Sequence, residues 1–407
     1  MLKNFFPNFV KNSIFGILDQ LFSSFLIFGI NFYFAYQSQL NEVGIFALIF
    51  SSIGVAQIIQ QAILEKPILI KKNVFKYKII LKRFLIVVLV LIVSILIIFY
   101  GDNNTTSTES LNDNFLISWF FLGVVQLLFN LGRTYFYTIK KEQIAFYISF
   151  SSTTIIFIIF LFIGPLIEDR LFPYILTICL TKTIILILFF KEIKLIDSKF
   201  ITEDGSYKDY ILLIFISLFA FIRIRYPIFY LAEYAFILAG IFEIFRTITE
   251  LVLMPFRPIS QSLLTFLSEE SPFKIKKSFL KLTLTFFLVA SSISFIFYFV
   301  FDVIANFFNI FINTNENIKI YIITFILLNI IIIPFSSFLL SQKKFAYEFL
   351  AKCIPTVLMI LYLSFFHEKN NIEIILLILS LVTFIELIII LFYSLKTLKN
   401  IHLDESI

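Results

Sequence analysis

Histidine and cysteine are nearly missing, with two of each among 407 residues. Cys179 and Cys353 both fall inside apolar runs and read as small packing residues. With only His367 and His402 besides, there is no ligand set for a structural or catalytic zinc. Charge is equally scarce: Asp, Glu, Lys and Arg make up 15% of the chain, whereas a soluble domain carries about 25%. That shortage, with 60% hydrophobic residues, excludes a soluble globular protein. No GxxxxGK[ST] run occurs, which excludes a P-loop ATPase and leaves an ion gradient, the membrane potential or downstream consumption of product as energy sources. No loop carries an Asp-rich metal motif, and no outward loop is large enough for an enzyme domain, which argues against a membrane glycosyltransferase, polymerase or ligase. No enzyme activity and no cofactor are expected. A single Trp beside 57 Phe and 18 Tyr reads as a compositional habit rather than a stacking site.

What is present is hydrophobic length. Apolar windows give about twelve spans, near residues 13–36, 43–64, 84–101, 115–137, 143–164, 171–190, 209–231, 234–254, 279–301, 319–340, 345–366 and 372–394. The eighth is the weakest, because Glu243, Arg246 and Glu250 interrupt it. The expected fold is an all-α integral membrane protein with two six-helix bundles around a central cavity. The N-terminal bundle covers 1–190, a cytoplasmic linker 191–208, and the C-terminal bundle 209–407. The basic N-terminus leads into a run too long for a signal-peptide core, so it is expected to remain as the first helix. Lys and Arg collect in alternate connections, including Lys66 to Arg83, Lys191 to Lys208, Arg257 to Lys281, and Lys343, Lys344 and Lys352. The other side has Arg170, Lys319 and Lys369. Basic connections stay in the cytosol, so both termini are expected there. The same bias explains the net charge of +6 without a nucleic-acid partner. A weak repeat joins the halves: Pro67 follows Glu42 at the interval by which Pro258 follows Glu233.

Polar residues inside the spans must face protein or water rather than lipid. In the fourth span Gln126, Asn130, Arg133 and Tyr137 recur at helical spacing and form one stripe. Gln57, Gln61 and Glu65 form a second stripe, and Gln20 with Ser24 a third. These stripes either glue helices together or line a cavity. In the seventh span Arg223 and Arg225 point to opposite sides unless Pro227 bends the helix. Glu243, Arg246 and Glu250 share one face of the eighth, either as a self-neutralising ladder or as partners for those arginines. Lys182, toward the cytoplasmic half of the sixth span, either snorkels to the interface, the reading favoured here, or faces the cavity. Asp19 reads as a counter-ion for an Arg, an ion-coupling site or an interfacial residue, and Glu386 and Asn329 have no partner visible in the sequence.

Asp19-Gln20, Asn31 with Ala35, Glu42-Val43-Gly44-Ile45-Phe46-Ala47 and Glu65-Lys66-Pro67 resemble the start of bacterial polysaccharide flippases. These are members of the multidrug/oligosaccharidyl-lipid/polysaccharide exporter (MOP) superfamily. The resemblance implies an inner-membrane transporter whose two halves rock about a central cavity. Its substrate would be a polyprenyl-pyrophosphate-linked oligosaccharide for a surface polymer such as O-antigen, with membrane lipid, polysaccharide polymerase and chain-length machinery as partners. Arg133, Arg223, Arg225, Arg246 and Lys182 are then candidates for the pyrophosphate, since guanidinium pairs bidentately with phosphate. Gln57, Gln61, Gln126, Asn130 and Tyr137 are candidates for the sugars, and Asp19 and Glu65 for ion coupling. The alternative is an ion-coupled multidrug exporter of the same superfamily, whose cavity should be acidic.

Overall fold

A computed structural model describes residues 14–16, 18–23, 29–31, 33, 40–65, 77–101, 113–138, 141–163, 171–190, 207–232, 234–256, 259–260, 263–264, 267, 272–307, 316–365 and 371–403. Lipid offers no hydrogen-bond partners, so each crossing segment must satisfy its own backbone, and a run of apolar residues does this as helix. All the elements among the described residues are helical. They are α1 (Ile14–Ser23), α2 (Leu40–Gln60, continued by a π-turn at Gln61–Glu65), α3 (Tyr77–Gly101), α4 (Asp113–Thr138), α5 (Glu142–Ile163) and α6 (Leu171–Phe190). Then follow α7 (Tyr207–Ala232), α8 (Phe236–Leu253), α9 (Pro272–Phe307), α10 (Glu316–Ser341), α11 (Phe345–Phe365) and α12 (Ile372–Leu403).

Among the described residues, eight of these segments are long and apolar enough to cross a membrane, and Ile14–Ser23 and Ile175–Leu188 are shorter apolar helices. The chain is a multi-pass integral membrane protein, and each expected span overlaps a helix among the described residues, the first of them only over its beginning. The eighth forms despite its charges because they are not offered to lipid: Glu243 is buried and Arg246 bonds to it. Most of the expected linker, and of the polar connection 101–114 between the third and fourth spans, lies outside the described residues.

The contacts divide the chain into two units, Met1–Asn31 with Ile45–Tyr210, and Phe32–Gly44 with Ile211–Ile407. In the first, Trp119 of α4 donates to Ser52 of α2 at 2.8 Å, and Thr153 of α5 donates to the Phe22 carbonyl of α1 at 2.7 Å. In the second, Thr356 of α11 donates to the Phe219 carbonyl of α7 at 3.2 Å.

The division cuts α2 between Gly44 and Ile45, so its first turn belongs to the second unit. There α2 crosses the start of α8 at backbone contact. The Phe236 carbonyl oxygen occupies the place where a Cβ on Gly44 would sit, and the Leu40 carbonyl oxygen does the same to Gly240. The contact is reciprocal, with a carbonyl four residues before each glycine filling the space of the other. It pairs Gly44 with Gly240, whereas aligning Glu42 on Glu233 would pair Gly44 with Ala235. The local two-fold relation therefore has a different register from the repeat read in the sequence, because helix crossing selects the small residue and not the acidic one.

The end of α10 is a second point where backbone geometry overrides residue preference. Lys343 N–H donates to the Leu340 carbonyl at 3.1 Å and Lys344 N–H to the Leu339 carbonyl at 2.9 Å, the two bonds of a Schellman cap. Its left-handed position normally holds glycine but here holds Lys343 at φ 55°, at a cost of about 1 kcal/mol.

Candidate substrate site

The polar stripe of α4 faces α1, α5 and α6 within the first unit. Toward its C-terminal end Arg133 Nε donates to Asp19 Oδ1 at 3.0 Å, and Nη2 pairs with Oδ2, a bidentate fork between α4 and α1. Ser149 of α5 donates to the same Asp19 oxygen at 2.5 Å. Asp19 is fully buried and is the counter-ion of Arg133, the first of its three readings. Phe129, Phe136, Ala145, Ile148 and Ile185 pack as an apolar cluster beside it.

Further along the stripe Lys182 of α6 donates to Gln126 Oε1, and its Nζ lies 4.9 Å from the centre of the Phe129 ring. Gln126 Nε2 in turn reaches Asn130 Oδ1 at 3.3 Å. Lys182 is only 4% exposed, which corrects the expectation that it snorkels to the interface. Its stem is too deep in the bundle, and an amide and a ring face receive its ammonium group instead.

The second stripe is rearranged. Gln57 is half-buried, Gln61 is exposed, and buried Gln60 takes the polar role. Gln60 Nε2 donates to Glu65 Oε1 at 2.8 Å and to the Leu127 carbonyl of α4 at 3.0 Å. The π-turn is the reason. It widens the helix so that residues five apart share a face, which brings Gln60 over Glu65 and turns Gln61 away. Arg83 of α3 braces this turn by donating to the Ile63 carbonyl at 2.8 Å. The side chains of Tyr137 and Ser24 lie outside the described residues.

The other candidates belong to the second unit and form two clusters. On one side of α7, Arg223 pairs with Glu386 of α12, which also pairs with Lys352 of α11. Glu348, one turn before Lys352, lies 3.9 Å from its Nζ and accepts from Ser336 of α10 at 2.6 Å. Lys352 therefore does not belong to the basic cytoplasmic connection where the sequence seemed to put it. Glu386, which had no visible partner, is the centre of the cluster. On the other side of α7, Arg225 reaches Glu243 of α8 at 3.3 Å. Arg246 forks onto Glu243 at 2.7 and 2.5 Å and lies 3.7 Å from Glu250. Arg223 and Arg225 do point apart, and the ladder of α8 is also a partner for an arginine of α7.

The buried charges can now be balanced. The buried carboxylates among the described residues are Asp19, Glu243, Glu348 and Glu386, and each is in a salt bridge. The buried cations are Arg133, Arg223, Lys319 and Lys182. The first three face a carboxylate, Lys319 through Asp302 at 2.6 Å. Among the described residues the contacts of Lys182 are with Gln126 and the Phe129 ring, both neutral. Among the described residues no group of three or more His, Cys, Asp or Glu is arranged to hold a metal ion.

No family model and no curated protein sequence matches the chain. Solved structures do, over nearly the whole length. Two are multidrug resistance MATE family transporters of the MOP superfamily, one inward-facing and one outward-facing. They share 11% and 12% identity with this chain at TM-scores of 0.60 and 0.58, covering 96% and 97% of it and 95% and 96% of their own length. A MOP superfamily transporter from Pyrococcus furiosus, described as having a binding pocket of reverse polarity that suggests a different function, matches at 13% identity and a TM-score of 0.58, over 97% of this chain and 94% of its own. The chain has the fold of the MATE transporters. At this identity the likeness covers architecture, and the chemistry must come from the residues described above.

Proposed function

We propose that this protein is a flippase that carries a polyprenyl-pyrophosphate-linked oligosaccharide from the cytoplasmic to the outer leaflet of a bacterial inner membrane, by alternating access and with both termini in the cytosol. The observation that supports this reading is the setting of Lys182, buried on α6 with an amide and a ring as its partners among the described residues. Every buried carboxylate already has a cation, which leaves none of them to attract a positive drug. A buried ammonium group held only by an amide and a ring has charge to offer a phosphate. A charge-assisted bond of this kind contributes about 1.5–3 kcal/mol. Gln126 and Asn130, next to it on α4, supply amide donors and acceptors suited to sugar hydroxyls. The arginines named as candidates take part less directly, since each is engaged by a carboxylate and would have to exchange partners to reach a substrate.

A second reading, an ion-coupled multidrug exporter, is favoured by the multidrug transporters that share the fold. The two separate in one assay. Proteoliposomes holding the purified protein are expected to flip a fluorescent polyprenyl-pyrophosphate sugar faster than empty vesicles, and Lys182→Met to lower that rate at least ~10-fold. Ethidium transport without movement of the analogue would remove the flippase reading and leave the exporter.

A further inference from the structure

The α10–α11 turn and the last turns of α12 meet at one end of the second unit, and together they have the chemistry of a lipid headgroup site. Tyr347 of α11 and Tyr393 of α12 stack face to face, with ring centres 4.3 Å apart and an 8° tilt, and Lys396 Nζ lies 5.9 Å over the Tyr347 ring. Around this stack Lys343, Lys344, Lys396 and Lys399 are all exposed. No side chain of the four has a hydrogen bond or an ion pair among the described residues. The nearby acids are of no use to them, since Glu348 and Glu386 are buried and engaged with Ser336, Lys352 and Arg223.

Two further features select the partner. Along α12 the exposed residues Leu381, Phe384, Ile388, Phe392 and Leu395 follow one another at steps of three and four, a single apolar face that ends in Lys396 and Lys399. A ligand lying on this face meets hydrocarbon first and then positive charge, which is the profile of a phospholipid with an anionic head. Secondly, Lys343 stands in a left-handed Schellman position where glycine is the easier residue, so the backbone gives no reason for its side chain to be there.

We propose that this end of α10, α11 and α12 binds the anionic headgroup of a membrane phospholipid, with acyl chains along the exposed face of α12. The tyrosine pair forms the floor at interface depth, where aromatic rings are at home. Each lysine is expected to contribute up to roughly five-fold to the preference for an anionic over a zwitterionic lipid.

The test is native mass spectrometry of the full chain purified in micelles doped equally with phosphatidylglycerol and phosphatidylcholine. The wild-type protein is expected to retain phosphatidylglycerol at least ~10-fold over phosphatidylcholine, and K343G/K344Q/K396Q/K399Q to bring the two to parity. K343G on its own removes one charge and relieves the left-handed strain, so it is expected to fold at least as well as wild type while lowering the preference several-fold. It decides the matter if the quadruple variant does not fold. Equal retention of the two lipids by the wild-type protein, or an unchanged preference in K343G and the quadruple variant, would overturn the proposal. The second result would fit a basic surface for an acidic protein partner.

Discussion

The two units treat buried charge in opposite ways. Among the described residues the second sets cations against carboxylates: Lys319 with Asp302, and two clusters, Arg223 and Lys352 with Glu386 and Glu348, and Arg225 and Arg246 with Glu243 and Glu250. Each cluster is neutral and closed on itself, tying α7 to α12 and α11 on one side and to α8 on the other. Among the described residues the first unit pairs Arg133 with Asp19 and leaves Lys182 facing an amide and a ring. Closed clusters stabilise a fold, whereas a cation on neutral partners is poised to accept an anion. Under the proposed function the difference separates residues that hold the bundle from the residue that would meet a substrate, although all of them look alike as charges in apolar spans.

The largest effect expected from breaking this contrast is at Glu386. Glu386→Ala strands the buried Arg223 and leaves Lys352 only its 3.9 Å approach to Glu348 among the described residues, and should cost about 3–5 kcal/mol, read as a collapse in folded yield and in the thermal unfolding midpoint in detergent. Adding Arg223→Met to Glu386→Leu should recover much of that loss, because an apolar pair of similar volume removes the desolvation cost along with the attraction. Lys182→Met should do the reverse, keeping the unfolding midpoint within a few degrees of wild type while lowering affinity for a pyrophosphate analogue at least ~10-fold. Gly44→Ala drives a methyl group into the Phe236 carbonyl and should destabilise by about 1–3 kcal/mol, measured in the same unfolding experiment. The smallest effect is expected for Arg225→Gln, about 1 kcal/mol, because Arg246 keeps its fork on Glu243 after the 3.3 Å bond is gone.

The fold was legible in the sequence because hydropathy reports directly on membrane spans: among the described residues, the helices α1 to α12 overlap the expected apolar windows. The stripe Gln126, Asn130 and Arg133 was legible for a similar reason, since helical spacing fixes a face. Partners were not. Arg133 with Asp19 and Arg223 with Glu386 are brought together by helix packing, which leaves no local trace. Lys352 was placed in a loop by its neighbours Lys343 and Lys344, although Glu348, one turn earlier, signalled an engaged residue inside a helix. The shift from Gln61 to Gln60 depends on a single π-turn, and sequence spacing assumes that the helix is regular. For Lys182 the sequence left snorkelling and the cavity both open, because a lone lysine in an apolar span shows no partner. Its burial needed Gln126 and Phe129 on another helix.

The most direct test is a binding titration of the purified protein with a soluble polyprenyl-pyrophosphate sugar analogue, for wild type, Lys182→Met and Arg225→Gln, with ethidium as the opposing ligand. Saturable binding of the analogue that weakens at least ~10-fold in Lys182→Met and changes little in Arg225→Gln is the expected result. Binding of ethidium alone, or analogue binding that is indifferent to Lys182, would contradict it and return the charge on α6 to a purely structural role.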